Sequence, residues 1–274
     1  MDEIDRQNQR EDKLYEQLLA SPVVELAGVV SPSGVGAGKS RGQQLWSLLL
    51  SFDAWRINGG PIRTESLTIR RRVTDDELRE FQSAIDAETV VRIRARVAED
   101  NVFGFVQAYI EEHIGLADDR ELQARLDELQ KPKTVEDDQF GTFTFDRRVS
   151  WYSAQVEWVG ETIDLTLNAE EPDEIKSCLK IARDLWSQQS SWKTRVDDYA
   201  VQELLALKND TWLGDDETEL SPEEFKSKMT LQSISIYPDD DFDFWHDDGD
   251  LFWGHSIQVS GSLAGGPTSA DIPG

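Results

Sequence analysis

A single cysteine, Cys178, stands among 274 residues, which excludes an intramolecular disulfide and any cysteine-based zinc site. Basic residues are scarce too: 28 lysines and arginines face 54 aspartates and glutamates, for a formal net charge of −26 and a pI near 4.4. Nucleic acid and anionic lipid repel such a chain at long range, so general affinity for either is disfavoured and a cationic partner is favoured. No run approaches the ~18 consecutive apolar residues of a membrane span. The opening Met-Asp-Glu-Ile-Asp-Arg is polar where a secretory leader is basic and then apolar. These absences predict a cytoplasmic protein with no membrane association.

The charge is uneven. From Thr134 onward there are 30 acidic against 10 basic residues, so the later half carries −20 and the earlier part −6. The length suits about two ordinary domains, each able to bury a core. Four stretches are expected: an N-terminal helix over 1–20, an OB-like β domain over 21–116, a helix and linker over 117–138, and an α+β domain over 139–274.

Leu14, Leu18 and Leu19 form the only apolar stripe of the first helix. Val23 to Val30 reads as a strand, and Gly34-Val-Gly-Ala-Gly-Lys-Ser40 follows it. A phosphate-binding loop needs Gly-x4-Gly-Lys-Ser/Thr, which puts its first glycine at position 33, where this chain has Ser33. The expectation is a flexible glycine-rich loop without nucleotide, although Leu45 to Phe52 could continue it as a helix. Trp55 onward is β-like, with a Gly59-Gly60-Pro61 turn and a strand within Arg63 to Val73. Thr74 and Glu77 make a capping box that opens a helix through Leu78, Phe81 and Ile85. Strands follow at Val90 to Val97 and Phe105 to Ile110. Strand, strand, strand, helix, strand, strand is the element order of a five-stranded OB-type barrel. Arg70, Arg72, Arg92, Arg94 and Arg96 could form a cationic patch, but no aromatics interleave with them, so pairing with the chain's own carboxylates is the expected use.

In the later half, three strands (140–145, 148–159, 161–167) precede two to three helices, with Pro172 in the first turn of one and Ser221 capping another. More strands then close the chain. That order argues for a mostly antiparallel sheet covered by helices. Within 231–255, Asp248-Gly249 signals a two-residue type I′ hairpin. In that register Phe242, Phe244 and His246 share a face with Leu251, Trp253 and His255. Phe244 and Trp253 are therefore expected in the core, and a last strand should begin at His255.

Leu220-Ser-Pro-Glu-Glu-Phe225, Leu231-Gln-Ser-Ile-Ser-Ile236, Trp158-Val-Gly-Glu-Thr-Ile163 and above all Phe252-Trp-Gly-His-Ser-Ile257 resemble the bacterial family known as domain of unknown function 2262. The resemblance covers roughly 140–274 and implies no catalytic residues. The earlier half is similar to small β domains sometimes found ahead of that family.

Candidate sites are few. A calcium loop ending at Gly249 would need acids at 244, 246 and 248, where the chain has Phe244, His246 and Asp248. Asp247, Asp248 and Asp250 remain candidate ligands of a loose surface calcium site. His246 and His255 would lie two rows apart, about 13 Å at ~3.3 Å per residue, too far for one metal. His255 is the candidate catalytic residue. There is no Gly-x-Ser-x-Gly elbow, and Cys178 lies mid-helix between apolar residues. The reading is an acidic interaction protein of an immunity or inhibitor type, without cofactor. It would bind a basic protein through Asp239, Asp240, Asp247, Asp248 and Asp250. The alternative is a hydrolase or metal-dependent enzyme built on His255 and the acidic loop.

Overall fold

The computed structural model describes residues 3–39, 43–214 and 217–273, with side chains from Gln9 onward. These form mixed α and β structure with six helices and two large sheets, divided into units at 1–131 and 132–274.

In the first unit, α1 (Glu3–Ala20) buries Leu14 and Leu18 beside Ala98 and Tyr109, while Leu19 stays exposed. The strands are β1 (Val23–Val30), β2 (Gly36–Gly38), β3 (Trp46–Ile57), β4 (Leu67–Val73), β5 (Val90–Ala98) and β6 (Gln107–Leu116). β1 pairs with both β3 and β5, β3 with β4, β4 with β6 in parallel, and β6 with β5, so the pairings return to their start. Inside lie Leu26, Leu48, Leu50, Phe52, Leu67, Ile69, Ile93 and Ile110. At Gly28 a Cβ would overlap the Phe52 ring, which restricts this β1 position to glycine. α2 (Asp75–Ala84) carries the full Thr74–Glu77 capping box, and α3 (Arg120–Leu129) packs Leu122 and Leu126 on Val29, Ala54 and Val90.

Two expectations fail here. Residues 46–52 are strand rather than helix: Leu48, Leu50 and Phe52 are buried while Leu49 is exposed, a period of two that an unbroken leucine run conceals. Gly36–Gly38 pair with β3 as a short strand instead of forming a flexible loop, and β3 rather than a helix is the next element; Ser40 lies outside the described residues. A phosphate would therefore meet no helix N-terminus there. The arginines are engaged internally. Arg72 pairs with Asp12, Arg92 with Glu25, Arg94 with Glu112 and Arg96 with Glu111, and Arg70 donates to Gln107.

The second unit begins earlier than expected, because Thr134–Asp137 is an edge strand, β7, and not a solvated linker. β8 (Gly141–Asp146), β9 (Trp151–Trp158) and β10 (Glu161–Leu167) continue as a meander. Val159 and Gly160, at φ 50° and 86°, make the two-residue turn between the last two. Helices α4 (Pro172–Ser187), α5 (Gln189–Thr211) and α6 (Pro222–Lys228) follow, α6 opening on a Ser221–Glu224 capping box. A second meander holds β11 (Thr230–Ile236), β12 (Asp241–Asp247), β13 (Ser256–Ser262) and β14 (Gly266–Asp271). The sheet order is β14-β13-β12-β11-β10-β9-β8-β7, antiparallel except where β10 meets β11.

One face of this sheet carries Ile163, Leu165, Ile234, Phe242, Phe244, Ile257 and Val259, which cluster with Ile175, Leu179, Trp192, Val196 and Leu204 of the helices. Edge-to-face contacts such as Trp192–Phe242 at 5.2 Å and Trp158–Phe244 at 5.7 Å fill this core. The opposite face is polar. One row crosses all eight strands as Thr134, Thr144, Ser153, Thr166, Ser235, Asp243, Ser260 and Ser269. Asp243 is its only member without a hydroxyl.

Candidate functional site

Asp243 is drawn below the surface although it sits on the polar face. It is 8 % exposed, and its carboxylate accepts from the Tyr237 hydroxyl at 2.8 Å and the Ser260 hydroxyl at 2.5 Å. Burial, the hydrogen bond and the carboxylate's charge push the Tyr237 phenol up to about 12, so it remains a donor at physiological pH. Around this group lies a cleft of about 380 Å³ lined by Tyr237, Asp239, Asp241, Asp243, Ser260 and Thr268, among others. It is built where the β11–β12 and β13–β14 connections come together. Among the described residues no lysine or arginine forms an ion pair with Asp239, Asp241 or Asp243. Only the hydroxyls of Tyr237 and Ser260 hydrogen-bond the Asp243 carboxylate, and Asp239 and Asp241 stand exposed beside it, so negative charge gathers at the cleft.

Of the five aspartates expected on the surface, Asp239, Asp240, Asp247 and Asp250 are exposed, and Asp239 lines the cleft. Asp248 is not: it is 2 % exposed. β12 and β13 are joined by residues 248–255 rather than by a two-residue turn, with Asp247 opposite Ser256 and Phe244 opposite Val259. The Asp248 carboxylate builds this loop, accepting from the backbone N–H of Phe252 at 2.6 Å, Gly254 at 3.2 Å and Asp250 at 3.2 Å. Those same oxygens would have to serve the calcium site considered above, so that candidate loses its central ligand. Gly249, at φ 52°, abuts the Lys228 carbonyl where a Cβ would clash.

The longer loop also moves Trp253. Leu251 and Phe252 enter the core, whereas Trp253 is 68 % exposed, with φ 58° and its ring 4.8 Å from that of Trp212. Phe244 is buried as expected, because β12 keeps its alternation whatever connects it to β13. His255 precedes the last meander strands as a loop residue; its ring lies 5.7 Å from Trp212 and its Nδ1 is buried without a hydrogen-bond partner. Among the described residues no carboxylate hydrogen-bonds or ion-pairs with it.

His246 is more deeply held, at 4 % exposure on the core face. Its Nε2 lies 4.0 Å from Asp197, whose other oxygen pairs with Lys193 at 2.5 Å. Burial, aided by Lys193, pulls its pKa down to about 4. Burial pushes the Cys178 thiol up to about 12, and its Sγ donates to the Ile236 carbonyl, so it is an inert packed group. Among the described residues no cluster of three or more histidines, cysteines or acids could hold a metal ion. None of the described helices is long and apolar enough to cross a membrane.

Tyr237, Asp243, Ser260 and Thr268 were not singled out from sequence. Alternation puts 235, 237 and 243 on one face, but only the pairing of Asp243 with Ser260 brings the group together.

Residues 137–272 match the model of the family described as an uncharacterised protein conserved in bacteria (DUF2262), so the C-terminal half of the chain carries the domain that Phe252-Trp-Gly-His-Ser-Ile257 suggested. Residues 11–129 match the model of a domain of unknown function (DUF7021). Among solved structures, the wild-type single-stranded DNA binding protein from Thermus aquaticus is similar at 12% identity, over 53% of this chain and 72% of that one, with a TM-score of 0.25. A deletion mutant of that protein gives 14%, 53%, 74% and 0.23. Superposition at that level carries no conclusion. No curated protein matches the chain.

Proposed function

We propose that the C-terminal unit is a recognition module for a basic protein, of an immunity or inhibitor type, and that the cleft around Asp243 receives a lysine or arginine side chain. The observation that supports this best is a mostly buried carboxylate held only by hydroxyls, with Asp239 and Asp241 beside it and no cation among the described residues paired to any of the three. A cation entering the cleft would gain three carboxylates at once. Because Tyr237 and Ser260 already hold Asp243 in place, little side-chain ordering would oppose binding.

Oligolysine and oligoarginine peptides are the probes. The unaltered chain should bind them with an affinity that falls steeply as salt rises. The Asp239→Asn/Asp241→Asn double variant should bind about fivefold more weakly, with a shallower salt dependence and an unchanged Tm, since exposed charges contribute ~0.2–1 kcal/mol each. Absence of binding by the unaltered chain at low salt would overturn the proposal.

For the N-terminal unit the reading is an OB-type barrel. The circuit β1-β3-β4-β6-β5-β1, with β4 and β6 parallel and α2 between β4 and β5, supports it. Binding of nucleic acid there is disfavoured, because the arginines of β4 and β5 are paired internally and the chain carries −26. The reducing cytoplasm is the compartment that goes with this reading, and a lone, buried, reduced thiol fits it.

A further inference from the structure

We infer, resting on the recognition reading above, that the basic partner lies across the polar face of the eight-stranded sheet and not only in the cleft, and that Trp245 on this face stacks on one of its arginines.

Charge is sorted between the two sides of the sheet. No lysine or arginine stands in any of the eight strands. Of the ten basic residues from 134 onward, eight lie in α4, α5 and α6 on the other side and two in the β8–β9 turn. Alternation places Glu157, Asp164, Asp241, Asp243, Asp247 and Asp271 on the polar face, and all but Asp243 are exposed. The lysines and arginine of the helices pair instead with Asp137, Asp173, Asp197, Asp198 and Glu217. A sheet face that only meets water gains from opposite charges set across strands, and like charges there repel. This face carries one sign alone, so its repulsion is relieved only by a cation from outside.

Trp245 stands in the middle of that field. Beside the hydroxyl row runs a second one, Gln155, Asp164, Ser233, Trp245, Gln258 and Asp271, which shares the face. Along β12, Asp243 and Asp247 flank the tryptophan two residues away on either side, about 7 Å. Across the sheet, Asp164 and Asp271 flank it two strands away on either side, about 10 Å at ~4.8 Å per strand. The cleft at Asp243 and the indole are therefore neighbours on one strand and one face. Trp245 is partly exposed, and among the described residues no ring or cation packs on it, whereas Trp192 on the helix side already carries Arg195 at 4.1 Å. An indole flanked by carboxylates selects a cation, with guanidinium favoured over ammonium because it stacks.

Triarginine, dodecaarginine and dodecalysine are the probes. About six extended residues span the four strand spacings from Asp164 to Asp271, so the long peptides cover the row while triarginine occupies the cleft alone. Asp164→Asn/Asp271→Asn should keep or raise its Tm, bind dodecaarginine about fivefold more weakly, and bind triarginine as the unaltered chain does. Trp245→Leu should weaken dodecaarginine about threefold and dodecalysine less, with an unchanged triarginine affinity showing that the fold is kept. If Asp239→Asn/Asp241→Asn weakens the long peptides while Asp164→Asn/Asp271→Asn does not, the contact ends at the cleft; the inference is overturned and the recognition reading stands. Equal weakening of dodecaarginine and dodecalysine by Trp245→Leu would overturn the stacking. If the unaltered chain binds none of the peptides, the recognition reading fails and the inference with it. Loss of self-association in Asp164→Asn/Asp271→Asn with peptide affinity unchanged would assign the face to a contact between copies of the chain, and would also overturn the inference.

Discussion

Truncating Asp248 to alanine is expected to cost the C-terminal unit about 3 to 5 kcal/mol, the sum of several backbone N–H groups left without acceptors at ~1–3 kcal/mol each, reduced by water reaching some of them. The carboxylate is 2 % exposed and accepts from Asp250, Phe252 and Gly254. Phe252 also anchors the loop in the core against Trp212 and Phe225 at 5.6 and 6.1 Å. Asp248→Asn should fall between, because an amide keeps one accepting oxygen and turns a donor toward the other N–H groups. By contrast, asparagine in place of Asp239, Asp240, Asp247 and Asp250 together should leave stability unchanged or raise it by easing self-repulsion. The amide that replaces the Asp247 carboxylate would keep an oxygen to accept from the Gly249 N–H, as Asp247 does at 2.9 Å. Urea denaturation of the three variants decides the matter: a loss below about 1 kcal/mol in Asp248→Ala would mean that the loop does not depend on this carboxylate.

The second large effect is a pH dependence. His246 is buried and neutral, with its pKa drawn down to about 4 against ~6.5 in an unfolded chain. Above pH ~6.5 both states are uncharged and His246 contributes nothing to the slope. Between ~6.5 and 4 the unfolded chain takes up a proton that the folded one refuses, so stability falls with decreasing pH, by up to about 3 kcal/mol in all. Below 4 the folded state titrates as well and the decline from this group stops. Carboxylates whose pKa values are lowered by their partners, such as Asp119 beside Arg56 and Glu217 beside Lys208, begin to lose their contributions below about pH 5, so the histidine signal is read most cleanly between ~6.5 and ~5. His113, whose pKa burial also lowers, adds a contribution of the same sign below pH ~6.5. Lys193 and Asp197 on α5 face His246 as an ion pair and keep an imidazolium from finding a free carboxylate. Stability measured from about pH 7.5 to 4 should show this slope, and His246→Phe should make it shallower. An equal slope in that variant would place the titration elsewhere.

Features set by residues near in sequence were legible in advance. The capping boxes at Thr74 and Ser221, Pro172 in the first turn of α4 and the alternation of Val90 to Val97 all depend on a few adjacent residues, and all form. The misreadings share a cause, which is that a local signal had more than one tertiary outcome. Asp248-Gly249 has the chemistry of a tight turn, yet Gly249 serves at φ 52° inside a longer loop because the Asp248 side chain can turn inward to cap it. The longer connection shifts the partner of Phe244 from a loop position to Val259, and Trp253 moves from core to surface. Likewise Trp46-Ser-Leu-Leu-Leu-Ser-Phe52 is apolar enough for either helix or strand, and closure onto β1 and β4 selects the strand. The cleft was illegible for a different reason: Tyr237, Asp243 and Ser260 meet only through cross-strand register, which alternation alone does not specify.

The one parallel pairing in the eight-stranded sheet bears on how this unit comes to be folded. β7 to β10 and β11 to β14 are each a run of neighbouring hairpins that can zip from contacts close in sequence, whereas joining β10 to β11 requires residues 168–229, with all three helices, to close as a loop. Local hairpins form early and long closures late, so the two meanders should be assembled before the seam between them is sealed. The buried hydrogen bond from Thr166 to Ser235, 2.9 Å across that seam, then belongs to the last event of folding. Thr166→Val and Ser235→Ala should accelerate unfolding while leaving the folding rate nearly unchanged in stopped-flow measurements; slowed folding instead would mean that the seam is the nucleus.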